Sequence, residues 1–138
     1  MKRLVTSLLH VNGWVAVLIG SFIILDPISV LSSYGLQSDL STGLLSELRA
    51  PGGLLLVCGL GIIFCATTPG YAHSGLLLSI MVYGGYASVR LLAILLDGVP
   101  PVEIQLAASI EVVLCGLSAF SLFKSEKMRN RKPAASAG

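Results

Sequence analysis

Apolar residues fill four long stretches of the chain, at about residues 4–25, 48–66, 75–96 and 102–123, and polar residues gather between them and at the ends. Each stretch reaches the roughly 20 mostly apolar residues that a helix needs to cross a bilayer core of about 30 Å. None alternates apolar and polar positions as the strand of a membrane barrel would. Backbone groups in lipid must bond within their own segment, so the pattern predicts an all-α integral membrane protein, a bundle of four transmembrane helices. The first stretch follows Met1-Lys2-Arg3 and so resembles a secretory signal. Its apolar run is longer than the roughly 7–15 residues of a signal core, and it ends in Asp26-Pro27 with no small-x-small cleavage pattern. It is expected to remain as the first membrane helix.

Composition agrees: 54% of residues are hydrophobic and 12% charged, against about 25% charged in a soluble domain. With 138 residues the expectation is one transmembrane domain over residues 1–123, followed by a basic cytoplasmic tail over 124–138 that is disordered at its end.

The charges are placed unevenly. Seven of the nine basic residues lie at the ends (Lys2, Arg3, Lys124, Lys127, Arg129, Arg131, Lys132), and six of the seven acids lie between them. Cytoplasmic flanks carry the excess of Lys and Arg, so both ends are expected inside, an N-in/C-in arrangement. The segment from Asp26 to Glu47 and the turn Asp97-Gly98-Val99-Pro100-Pro101 then face outward, and neither holds a lysine or arginine. The longer of the two begins at Asp-Pro, which stops a helix. It carries Ile28, Val30, Leu31, Tyr34 and Leu36, and is read as a short interfacial helix broken at Gly35. The basic residues have no aromatic interleaving and point to membrane topology, not to nucleic acid.

Two arginines and several acids remain inside or against the apolar stretches. From the ends of the third and fourth stretches, Arg90 lies about 9 Å and Glu111 about 13 Å below the same boundary, at about 1.5 Å per residue. The turn between these helices is short, so they are antiparallel neighbours and the arginine can reach the glutamate. An ionisable side chain at mid-bilayer costs roughly 2.5–3.5 kcal/mol, so both must turn inward and find partners. The expected cluster comprises Arg90 and Glu111 as the central pair, Arg49 paired with Asp97 or Glu47, Glu103 nearby, and Tyr83 and Tyr86 below. Four acids against two bases would leave a surplus of negative charge, to be met by a proton or a cation.

Close helix contact in lipid depends on small residues. Gly13, Ala16 and Gly20 form one face of the first helix; Gly52, Gly53, Gly59 and Gly61 lie on the second. Gly84, Gly85 and Ser88 serve the third, and Ala107, Ala108, Gly116 and Ser118 the fourth. With Ser46 as cap of the second helix, Pro51 would clash with the Glu47 carbonyl and kink the first turns. Cys58, Cys65 and Cys115 read as small buried hydrophobes; His10, Asn12 and Trp14 sit in the inner part of the first helix, where a lone histidine more often bonds a neighbouring helix than binds a metal. No catalytic set, metal-ligand spacing or cofactor motif is present, so no cofactor is expected.

Asp26-Pro27 with Tyr34-Gly35, Glu47-Leu48-Arg49-Ala50 with Gly52-Gly53, Arg90, Leu96-Asp97-Gly98 and Glu111 resemble a bacterial membrane family, domain of unknown function 4345. Pro51 stands where that resemblance leads one to expect a bulkier residue. The resemblance spans about residues 4–123 and implies four membrane helices, a place in the bacterial inner (cytoplasmic) membrane, and no assigned activity. Three functions follow from the residues. The first is a binding protein whose outward polar pocket takes a small polar or amphipathic ligand or a proton. The second is a structural or accessory subunit of a membrane complex, with the cluster as a helix clasp. The third is a small isomerase-like enzyme using Glu103 and Glu111. That last pair is about 80° and about 12 Å apart on one helix, which is poor geometry for shared acid–base work.

Overall fold

The computed structural model describes residues 2–33 and 41–130, and every regular element among them is an α-helix. Four are long: α1 (Lys2–Leu25), α3 (Thr42–Thr67), α4 (Ala72–Asp97) and α5 (Val102–Asn130). All four are long and apolar enough to cross a membrane. The short α2 (Pro27–Ser33) sits between α1 and α3. Asp26 separates α1 from α2, and its Oδ1 accepts from the Ser29 amide at 3.1 Å, capping the short helix. The break expected at Gly35, with Tyr34 and Leu36, lies outside the described residues, as does the end of the basic tail.

α3 begins at Thr42, well before the apolar stretch at residue 48. Its cap is Ser41, whose Oγ accepts from the Leu44 amide at 3.2 Å, and not Ser46, which falls inside the helix. Pro51 is therefore interior to α3. It offers no N–H to the Glu47 carbonyl, and the helix nevertheless continues. α5 runs to Asn130, beyond the apolar stretch, and Lys124 Nζ lies 5.8 Å from the Phe120 ring centroid in its final turns.

α1 and α4 run one way, α3 and α5 the other. The α4–α5 turn, α2 and the start of α3 share one end of the bundle, here the turn end. α1 packs most extensively against α3, and α4 against α5; α4 also touches α3 and α1. The α1–α3 seam is built backbone to backbone. A Cβ on Gly20 would come within 2.6 Å of the Gly52 carbonyl oxygen, and one on Gly59 within 2.8 Å of the Gly13 oxygen. Only residues without a side chain permit that approach.

Two layers of buried apolar side chains fill the bundle: Leu9, Ile62, Leu76 and Leu122 far from the turn end, and Ala16, Leu55, Tyr83 and Leu114 nearer to it. The outer surface is apolar as well, with Phe22, Leu54, Leu91 and Phe120 each more than half exposed. That combination suits a multi-pass protein whose surface contacts lipid. Hydroxyls are satisfied within their own helices. Ser79, Ser88, Ser109 and Ser118 each donate to the carbonyl four residues back, at 2.7–2.9 Å.

Candidate functional site

α4 ends at Gly98, whose φ of +95° lies in a region open to glycine. Its N–H donates to the Ile94 carbonyl at 3.2 Å, closing the helix. Pro100 and Pro101 then redirect the chain, and Gln105 Nε2 reaches back to the Pro100 carbonyl at 2.9 Å. This tight return sets α4 against α5 in one register, and Arg90 meets Glu111. The guanidinium Nε donates to both carboxylate oxygens, at 3.1 and 2.9 Å. The two side chains are 26% and 14% exposed, so the pair is largely removed from the surface. It is the one ion pair among the described residues.

The wider cluster does not assemble around it. Arg49 pairs with neither Asp97 nor Glu47; its Nε donates to the Ile24 carbonyl at 3.1 Å, near the end of α1. The reason is the α1–α3 seam: once the glycines close it, the last turn of α1 offers carbonyls that have no partner of their own within reach of Arg49. Glu47 and Glu103 are exposed on other parts of the turn end and form no ion pair among the described residues. Asp97 is exposed as well and has no ion-pair partner among the described residues, but it lines the same crevice as Arg90. Tyr83 is buried and turns away from the pair, its hydroxyl donating to the Asn12 carbonyl of α1. Tyr86 is half-buried beside the apolar layer nearer the turn end, close enough to Arg90 and Glu111 to feel their charges.

Two crevices flank the α4–α5 seam. One, of about 380 Å³, is lined by Arg90, Ala93, Asp97, the turn and Ile104. The other, of about 610 Å³, is lined mainly by Ala87, Leu91, Val112 and Val113, with Ser88 and Ser109. They share Ile94, Gln105 and Ala108. Arg90 holds Glu111 through Nε alone, and its terminal nitrogens have no protein partner among the described residues. A guanidinium so placed carries fixed charge in a crevice whose lining also includes the apolar Ala93, Ile94 and Ile104. Among the described residues no three His, Cys, Asp or Glu side chains converge to hold a metal ion.

A second polar locus lies deeper, between the two apolar layers. Asn12 is fully buried; its Nδ2 donates to Ser118 Oγ of α5 at 2.8 Å, and its backbone carbonyl accepts from Tyr83 of α4. Three helices meet there, and the Asn12 Oδ1 has no partner among the described residues. The sequence carried a sign of this: Leu9, Asn12 and Ala16 recur at the spacing of one helix face, the face that packs inward.

No curated protein and no solved structure is significantly similar to the chain. The family model described as domain of unknown function (DUF4345) matches residues 4–122, nearly the whole of the four-helix bundle and both members of the Arg90–Glu111 pair, and the chain belongs to that family.

Proposed function

We propose that this protein binds a small amphipathic molecule in the crevice between α4 and α5, with Arg90 as the polar anchor and Glu111 holding the arginine in place. The observation that carries this reading is that Glu111 engages Nε alone. The terminal nitrogens of the guanidinium are left for a ligand in a crevice lined also by Ala93, Ile94 and Ile104. Charged groups within membrane spans are costly and mark functional sites more often than not. The basic ends favour an N-in/C-in arrangement, in which the crevice opens on the extracytoplasmic side. The inner membrane of a bacterium is the setting that this topology and the family resemblance suit.

A structural reading has its own support. A hydrogen-bonded ion pair bridging two helices fixes their register whether or not anything else binds. The two readings separate on ligand response. With dodecyl phosphate titrated into detergent-solubilised protein, the wild type should gain thermal stability as the bound fraction rises. Arg90→Ala, and separately Ala108→Phe to fill the crevice, should lose that gain. A wild type indifferent to the amphiphile, or variants that respond as it does, would leave only the clasp.

A further inference from the structure

Taking the α4–α5 crevice as a binding site, we infer that its occupant is a zwitterionic phospholipid with a primary ammonium, its phosphate on Arg90, its ammonium on Asp97 and its acyl chains along the apolar lining of the same cavity. Arg90 and Asp97 stand seven residues apart on α4, about 10 Å along one helix face at about 1.5 Å per residue, and both line the same cavity. Their side chains are long enough to reach toward each other across a headgroup in which a short linker joins phosphate to ammonium. Arg90 offers the remaining edge of its fork to phosphate, the geometry in which arginine bonds such groups best.

The sum of charges selects against simpler ligands. Arg90 and Glu111 cancel, and Asp97 adds one negative charge at the cavity wall. A plain anion would bring a second negative charge into a region poor in water, where like charges repel strongly. A plain cation would gain Asp97 but meet the free edge of Arg90. A zwitterion satisfies both walls and leaves the net charge unchanged.

The tail has a place as well. The chains leave the headgroup along Ala93, Ile94 and Ile104, the apolar part of the same cavity's lining. Val99 in that lining is 75% exposed, and the cavity is therefore open to molecules arriving laterally from the bilayer.

The test compares four probes on the full-length protein in maltoside micelles, read by thermal midpoint and by native mass spectrometry. Dioleoyl phosphatidylethanolamine should raise the midpoint by several degrees and remain bound. Dioleoyl phosphatidylglycerol and dioleoyl phosphatidylcholine should do less, the first lacking the ammonium and the second lacking its N–H donors. Glycerophosphoethanolamine, which has the headgroup and no chains, should do nothing. Asp97→Asn, at an exposed position where the fold is not at stake, should erase the preference for the ethanolamine lipid while leaving Arg90-dependent binding of the glycerol lipid. Equal response to the ethanolamine and glycerol lipids, or a preference that survives Asp97→Asn, overturns the inference and leaves an amphipathic site with a different ligand. No response to any lipid overturns the site itself.

Discussion

The two principal seams of the bundle are made of opposite materials. Between α1 and α3, glycines at 13, 20, 52 and 59 bring backbone against backbone, and the one charged side chain that bridges them, Arg49, meets only the Ile24 carbonyl near the end of α1. Between α4 and α5, the helices are held by an ion pair in which one Arg90 N–H is shared by both Glu111 oxygens, with a crevice on either side of the line that joins them. In lipid there is no hydrophobic drive to close a helix pair, so association rests on packing and on polar bonds. The first seam uses the one and the second relies much more on the other. A glycine seam gains stability by leaving no room. A seam propped by an arginine and a glutamate leaves room, and it leaves polar edges beside that room. The contrast is between a closed seam at α1–α3 and an open one with polar edges at α4–α5.

The sharpest way to break this contrast is to add a side chain to the closed seam. In Gly20→Val the new Cβ would sit 2.6 Å from both the Gly52 carbonyl oxygen and the Leu56 nitrogen, and neither backbone atom can step aside. Overpacking costs about 1–3 kcal/mol in well-filled cores, and a backbone clash belongs at the top of that range or above it. The control is Gly116→Ala on α5, where a Cβ would meet nothing within 4 Å. It should cost nothing and gain up to about 1 kcal/mol from helix propensity. Unfolding titrations in SDS would rank the two, and equal stability of both variants would mean that the α1–α3 seam is looser than its glycines imply.

Next in size is the ion pair. Removing one member of a fully buried pair costs about 3–5 kcal/mol. Arg90 and Glu111 keep some exposure, so Arg90→Ala is expected to cost about 1–3 kcal/mol. Replacing both by leucine should recover most of the loss, because no charge is then left unpaired. The exchanged pair Arg90→Glu/Glu111→Arg should recover part of it. If the double leucine variant stays as unstable as the single one, the pair does more for the fold than bridge α4 and α5, and the division between the two seams weakens.

Much of this division could be read from residue order alone, and the part that could not has identifiable causes. Arg90 and Glu111 were legible because the short Gly98-Val99-Pro100-Pro101 turn fixes α4 and α5 as antiparallel neighbours, and depth from the turn then aligns the two residues. Gly13, Ala16 and Gly20 were legible because their spacing defines one face. Arg49 was not: its partner is the Ile24 carbonyl, and a backbone acceptor leaves no mark in sequence. The start of α3 was missed because hydropathy measures the part of a helix that lies in lipid, whereas Ser41 and the polar turns after it lie outside that stretch. Asn12 was underweighted because a single amide among apolar residues looks the same whether it caps a surface or joins three helices.

Asn12 offers a smaller test of the scaffold side. Its amide donates to Ser118, while its Oδ1 has no partner, so the gain from one bond is partly cancelled by the unpaired acceptor. Interhelical side-chain bonds in membrane bundles average about 0.6 kcal/mol in double-mutant cycles. The cycle of Asn12→Ala with Ser118→Ala should return a coupling of about that size or less. A coupling well above about 1.7 kcal/mol would exceed the largest seen for such bonds and make the Asn12 locus a principal support of the bundle, comparable to the glycines.

The smallest effect lies at the surface, where charges on the α1 side serve backbone ends only. Asp26 is fully exposed, and the Ser29 side chain first and the Ser29 amide second hold its carboxyl below the usual aspartate value of 3.8. A depressed carboxyl pKa contributes stability that is complete above the unfolded value and is lost as pH falls through the folded one. At neutral pH the α2 cap is therefore intact, and it should be lost only in acid below 3.8. Asp26→Ala removes the cap at every pH. The Ser29 amide of that variant should exchange with solvent at neutral pH as freely as the wild-type amide does once acidified, after correction for intrinsic exchange, with Leu56 in the glycine seam as reference. An effect that spread from Ser29 to Leu56 would mean that α2 is coupled to the closed seam, and that the scaffold reaches beyond the four long helices to the segment that joins α1 to α3.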